Sequence, residues 1–149
     1  MVHNINERGI MITIEDKIAI QELLARFAHY SDYGNWAELE KLYLPEVVTE
    51  TAGMDMTYKG IGPQIEHAKE SDRQTEGKNR HLYYNLYIEE QGGEIFANYY
   101  VTNVNAGATP MASKIVVSGR HRDKVVKTAD GWKFAHRLVT FDQSFSLDF

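Results

Sequence analysis

The chain has 149 residues and 17.1 kDa, 43% of them hydrophobic and 25% charged, which suits one globular domain with a buried core. A net charge of -5 argues against a nucleic-acid partner, whose phosphates require a basic surface. The lack of cysteine excludes disulfides, thiolate catalysis and cysteine metal sites, and it fits a reducing cytoplasm. No stretch reaches the ~20 apolar residues of a membrane span. Residues 1–12 read as a loose arm, without the apolar run of a signal peptide.

Thr13-Ile14-Glu15-Asp16 has the form of a capping box. Ile20, Leu23, Leu24, Phe27 and Ser31 then recur on one helical face, and Gly34 suits a stop, which predicts a helix to about Asp32. Asn35, with Glu38 reaching back, is expected to cap a second helix carrying Leu39, Leu42 and Tyr43 and ending at Pro45. Val47–Thr51 and Met56–Lys59 read as a short hairpin around Ala52-Gly53-Met54-Asp55. Gly62-Pro63 opens a third, polar helix to about Asp72, and residues 73–79 lack an apolar period and read as loop. From His81 the period becomes two. His81–Glu90, Glu94–Asn105, Ser113–Lys127 and Trp132–Phe145 are expected strands, with tight turns at Gly92-Gly93 and Asp130-Gly131. In the first of these strands both alternating sets, His81-Tyr83-Asn85-Tyr87 and Leu82-Tyr84-Leu86-Ile88, are apolar or aromatic. That pattern predicts cover on both faces, either by a homodimer or homotrimer assembled through the sheet or by a larger core within the chain. Helices first and strands after define an α+β domain over residues 13–149, its helices packed on one face of a strongly curved antiparallel or mixed sheet.

Asp32 is the most informative residue. A negative charge at a helix C-terminus opposes the macrodipole at a cost of roughly 0.3–1 kcal/mol. Either Asp32 helps the turn between two helices, or it pairs with a distant group. His81, which opens the first long strand, is the candidate, because an Asp beside a His makes a tuned general base. In the third long strand Lys114, Arg120, Arg122 and Lys124 share the outward parity, which turns His121 and Asp123 inward or to a pocket rim. No histidine pair has the spacing of a metal site, no glycine-rich loop leads from strand to helix, and no Gly-x-Ser-x-Gly elbow occurs. No metal, nucleotide or other cofactor is therefore expected. Acid–base chemistry by Asp, His, Tyr and Arg remains, or ligand binding without chemistry.

The helix Ile18–Asp32 followed by Gly34-Asn35-Trp36 resembles the opening of SnoaL-like proteins of the nuclear transport factor 2-like superfamily. Arg80-His81-Leu82-Tyr83-Tyr84-Asn85 resembles their histidine strand. Gly119-Arg120-His121 through Asp130-Gly131-Trp132-Lys133-Phe134-Ala135-His136-Arg137 resembles their last hairpin. The likeness implies a cone-shaped α+β barrel enclosing a pocket. In motif it is nearest to the scytalone dehydratase and lindane dehydrochlorinase branches, whose Asp–His pair falls on Asp32 and His81, and the arginine that assists in the dehydrochlorinase falls on Arg137. Ser31, Thr51 and Tyr99 stand where scytalone dehydratases carry two tyrosines and a second histidine.

The resemblance implies a cofactor-free, dehydratase-like lyase or an isomerase acting on a small cyclic or aromatic compound. Asp32 and His81 would be catalytic, with Tyr43, Tyr58, Tyr99, His121 and Arg137 contacting the ligand. Two other readings are a carrier of a hydrophobic ligand and a structural subunit like the β subunit of ring-hydroxylating dioxygenases.

Overall fold

The computed structural model describes residues 12–105 and 113–142. The expected N-terminal arm, the C-terminal segment from Gln143 and the end of the last strand at Phe145 lie outside these residues.

Helix α1 (Ile14–Asp32) starts with the expected capping box. The Thr13 hydroxyl accepts from the Asp16 N–H at 3.0 Å, and the Asp16 carboxylate accepts from the Thr13 N–H at 3.2 Å. Asp16 also accepts from Lys127 Nζ at 2.8 Å and Trp132 Nε1 at 3.2 Å, which ties the helix start to the last hairpin. The hydrogen bond from Lys127 leads the effects that hold its carboxyl down to about 2. The predicted stripe Ile20, Leu23, Leu24, Phe27 and Ser31 is buried. Gly34, at φ +70°, reverses the chain, and the Asn35 N–H donates to the Tyr30 carbonyl at 2.8 Å.

The second helix is shorter than expected. Helix α2 (Trp36–Leu39) passes into a single 3₁₀ turn over Glu40–Leu42, and strand β1 (Tyr43–Thr51) begins before Pro45. Asn35 makes no side-chain cap, and Glu38, instead of reaching back, pairs forward with Lys41 Nζ at 2.6 Å. Pro45 is tolerated inside β1 because it falls in the register break between Tyr43 and Val48, where the neighbouring strand needs no N–H from it.

Strand β2 (Thr57–Lys59) pairs antiparallel with β1. Helix α3 (Ile61–Gln74) runs two residues into the expected loop, since Arg73 and Gln74 both bond back to Glu70 and extend a mostly polar helix that packs on the core only through Ile61, Ile65 and Ala68. Strands β3 (Asn79–Gln91), β4 (Glu94–Asn105), β5 (Lys114–Thr128) and β6 (Gly131–Phe141) form the antiparallel meander. Gly92 and Gly93 both have positive φ, the backbone of a tight hairpin turn.

The sheet order is β2-β1-β6-β5-β4-β3, with β1 parallel to β6. The fold is thus three helices on a six-stranded mixed sheet, left open at β2 and β3 rather than closed by strand pairing. Its core joins Ile20, Leu24, Leu39, Val47, Val125 and Phe134. Among the described residues no helix is long and apolar enough to cross a membrane.

A bulge explains the two apolar sets of β3. Asn85 takes φ +56°, and the pairing with β4 slips between Tyr84 and Tyr87. The alternation resets there, so Tyr83 before the bulge and Leu86 and Ile88 after it all pack on the core. Most of that pattern is therefore absorbed within the chain, although Leu82, Tyr84, Tyr87 and Tyr100 remain exposed.

Strands β5 and β6 approach closely at Gly119, where an added Cβ would stand 2.4 Å from the Thr140 carbonyl oxygen. Gly119→Ala is expected to cost about 1–3 kcal/mol in urea unfolding, because backbone must move to admit a methyl group. An unchanged midpoint would contradict this packing.

Candidate active site

Asp32 and His81 meet across 49 residues of sequence. Asp32 ends α1, is 8% exposed, and uses both carboxylate oxygens on His81: Oδ2 accepts from the backbone N–H at 2.8 Å, and Oδ1 lies 2.5 Å from ring Nδ1. An ionised carboxylate can only accept, so in the neutral form of the ring Nδ1 carries the hydrogen and Nε2 keeps a lone pair. The edge-on ring of Phe27, 5.8 Å away, and Tyr83 at 5.9 Å hold the imidazole plane. This pairing accounts for the acid at the wrong end of the helix dipole.

A second network lies deeper. Asp123 on β5 has no exposed surface and accepts from Arg137 Nε at 3.0 Å and from the Tyr99 hydroxyl at 2.5 Å, with His121 Nδ1 at 3.2 Å. Arg137 also donates to the Tyr99 oxygen at 2.9 Å, and its guanidinium lies 4.0 Å from the Phe27 ring centre and 4.4 Å from that of Phe134. The His121 ring stacks on Tyr99 with centroids 4.9 Å apart.

Burial pushes the Asp123 carboxyl up, but the charge of Arg137 and the hydrogen bonds from His121 and Tyr99 outweigh it and leave the group below its ordinary value. Burial lowers His121, against the pull of Asp123, so this imidazole is neutral at pH 7. Burial raises the phenols of Tyr43, Tyr83 and Tyr99, only partly offset by Arg137, so all three stay protonated.

These groups face one cavity of about 220 Å³ between α1, α3 and the inner sheet face. Phe27, Tyr43, Tyr83, Val101 and Val139 supply its apolar wall, and His81, His121 and Arg137 reach it from three strands. Tyr58 stands there as well, half-buried and stacked on His67 of α3 at 4.4 Å. Of the residues expected from sequence, Asp32 reaches the cavity through His81, and Tyr43, Tyr58, His81, His121 and Arg137 line it. Tyr99 lies behind His121 with its hydroxyl committed to Asp123 and Arg137.

Sequence reasoning passed over Tyr83, His67 and Asn103, all in the wall, and Asp123 as the anchor of the second network. Inward parity was the available signal for Tyr83, Asn103 and Asp123. His67, a lone histidine on a mostly polar helix, gave none. Ser31 and Thr51, two of the departures from scytalone dehydratases, also line the cavity. Among the described residues no group of three or more His, Asp or Glu is placed to hold a metal ion.

The profile of the SnoaL-like domain matches residues 13–138. No curated protein matches the sequence. Among solved structures, a Nostoc punctiforme protein of unknown function with a cystatin-like fold is 22% identical, with TM-score 0.77 over 93% of this chain and 100% of that one. ActVI-ORFA from Streptomyces coelicolor is 16% identical, with TM-score 0.77 over 87% of this chain and 96% of its own. A Catenulispora acidiphila protein in complex with S-DNPA is 25% identical, with TM-score 0.71 over 87% and 96%.

Proposed function

The chain belongs to the SnoaL-like domain family, and from that premise we propose that it is a cofactor-independent lyase of the scytalone dehydratase type, acting on a small cyclic or aromatic compound. The observation that carries this reading is the His81 ring, which is held on a buried carboxylate through Nδ1 and lines the cavity. In this mechanism His81 Nε2 takes a proton from a carbon next to a carbonyl group. Asp32 holds the tautomer and stabilises the imidazolium as it forms. Negative charge then develops on the carbonyl oxygen, where the protonated phenols of Tyr43 and Tyr83 can donate. The protonated His81 returns its proton to the departing hydroxyl, which leaves as water and forms the carbon–carbon double bond. The complex of the Catenulispora acidiphila protein with S-DNPA supports ligand binding by this fold.

Mass spectrometry on a panel of cyclic β-hydroxy ketones tests the reading. The protein is expected to speed the loss of water from at least one of them, and no acceleration across the panel would refute dehydration.

Self-assembly is a further part of the proposal. Tyr84 and Tyr100 pack edge to face at 6.0 Å, on the side of the sheet opposite Tyr99, and with Leu82 and Tyr87 they leave an aromatic patch exposed. A homodimer or homotrimer through this face is expected. Light scattering at micromolar concentration should give two or three times 17.1 kDa, and a monomer mass would contradict it.

A further inference from the structure

Helix α3 turns one face to the cavity, with Gln64, His67, Ala68 and Ser71 at the i, i+3, i+4 and i+7 spacing of a single helical stripe. Ala68 and Ser71 also share a small cleft with Asp32 and His81, which brings this face of α3 to the catalytic pair. Both ends of the Gln64 amide are engaged. Its nitrogen donates to the Tyr58 carbonyl at 2.9 Å and its oxygen accepts from the Thr49 hydroxyl at 2.8 Å, which locks α3 to β1 and β2. His67 is the one titratable side chain of this stripe. Its ring stacks on Tyr58 with centroids 4.4 Å apart and planes 27° from parallel, and among the described residues its nitrogens have no hydrogen-bond partner. The other two histidines of the wall differ, since each has Nδ1 against a carboxylate, Asp32 for His81 and Asp123 for His121. Solvent reaches His67 although it also lines the cavity, so it stands at the mouth beside half-buried Tyr58. Burial lowers its titration and the charge of His81 adds to that, so at pH 7 His67 is a neutral imidazole with one N–H to donate.

Resting on the reading of this cavity as a lyase site with His81 as base, we propose that His67 is a further catalytic residue, whose ring N–H donates a hydrogen bond to the hydroxyl that departs. The apolar wall then takes the ring of the substrate, and the polar mouth takes its leaving group. The C–H bond breaks and its proton goes to His81. Its electron pair forms the carbon–carbon double bond as the C–O bond breaks, and the proton on His81 completes the water. His67 gains and loses no proton. It stabilises the negative charge that gathers on the departing oxygen before that proton arrives, and the water forms where the cavity meets solvent.

Two rates measured on the full-length protein separate this role from that of His81. One is water loss from 4-hydroxy-2-tetralone, whose product aromatises to 2-naphthol. The other is deuterium exchange into 2-tetralone, which has the same ring and carbonyl but no hydroxyl to expel. His67→Phe keeps a ring to stack on Tyr58 and removes the nitrogens. It is expected to slow water loss about tenfold or more relative to exchange, and His67→Gln, which keeps an N–H, is expected to recover part of that loss. A His67→Phe protein that slows both rates by the same factor, or that changes water loss by less than about threefold, would overturn the proposal. So would a His67→Gln protein no faster than His67→Phe, which would make the position a packing contact only. A wild-type protein that exchanges 2-tetralone without losing water from the hydroxy ketone would refute the role of His67 and leave the base at His81 standing. No exchange by the wild type would refute the base reading itself.

Discussion

His81→Ala is expected to lower turnover by about 10²–10⁴-fold while the protein stays folded, because, of the pair, only the imidazole lines the cavity. The ring is 19% exposed at the cavity wall and is not part of the main core, so its loss removes chemistry more than packing. Asp32→Asn is expected to cost a comparable factor by another route. An asparagine can turn its NH2 toward Nδ1, which places the imidazole hydrogen on Nε2 and points a donor where an acceptor is needed. The two losses should be far from additive, since both residues serve one proton transfer. Asp32→Asn should alter stability by no more than about 1 kcal/mol, as a lost charge-assisted hydrogen bond is set against relief at the helix C-terminus. Turnover and thermal melting measured on the two single variants and the double variant check these expectations. An Asp32→Asn protein with full activity would make Asp32 a turn residue only.

Arg137→Met is expected to have the largest effect on stability. Asp123 is fully buried, and without the guanidinium its carboxylate becomes an unpaired interior charge, a loss of about 3–5 kcal/mol. At roughly 2–4 °C per kcal/mol for a chain of this size, melting should fall by about 10 °C. The pH dependence has a definite sign. In the wild type the Asp123 carboxyl is depressed, so its contribution is present above the unfolded value, about 3.9, and fades as pH falls through the lower folded value. In the variant burial is opposed only by the hydrogen bonds from Tyr99 and His121, and without the guanidinium the carboxyl moves up. The penalty is then largest at neutral pH and shrinks as acid protonates Asp123. Adding Asp123→Leu to Arg137→Met should recover part of the loss, because it removes the stranded charge. A melting temperature within about 2 °C of wild type at pH 7 would show that the pair does not support the fold.

How much of this was legible in the sequence depended on how local each cause is. The capping box at Thr13, the buried face of α1 and the Gly92-Gly93 turn are decided by neighbours within a few residues, and they appear as read. The start of β1 at Tyr43 is set by pairing with β6, and the last two residues of α3 by polar side-chain pairs, so apolar periodicity misplaced both boundaries. Asp32 was conspicuous because it defies the helix dipole, and the likeness to SnoaL-like proteins supplied His81 as its partner. Asp123 shows the opposite case. Counting back from the Gly131 turn pairs Asp123 with His136, but a bulge between Lys124 and Val125 moves the register by one residue and brings Arg137 opposite instead. A one-residue slip of this kind decides which side chains meet, and nothing in the alternation announces it. The bulge at Asn85 likewise made one packed face look like two.

Proton abstraction by His81 can be observed without knowing the natural substrate. In D2O, mass spectrometry follows deuterium entering the carbon next to the carbonyl of 2-tetralone, with wild type, His81→Ala and buffer compared under the same conditions. Wild type should speed the exchange at least a hundredfold over His81→Ala, and the variant should match buffer. Exchange at the same rate in wild type and His81→Ala would contradict a general base at His81.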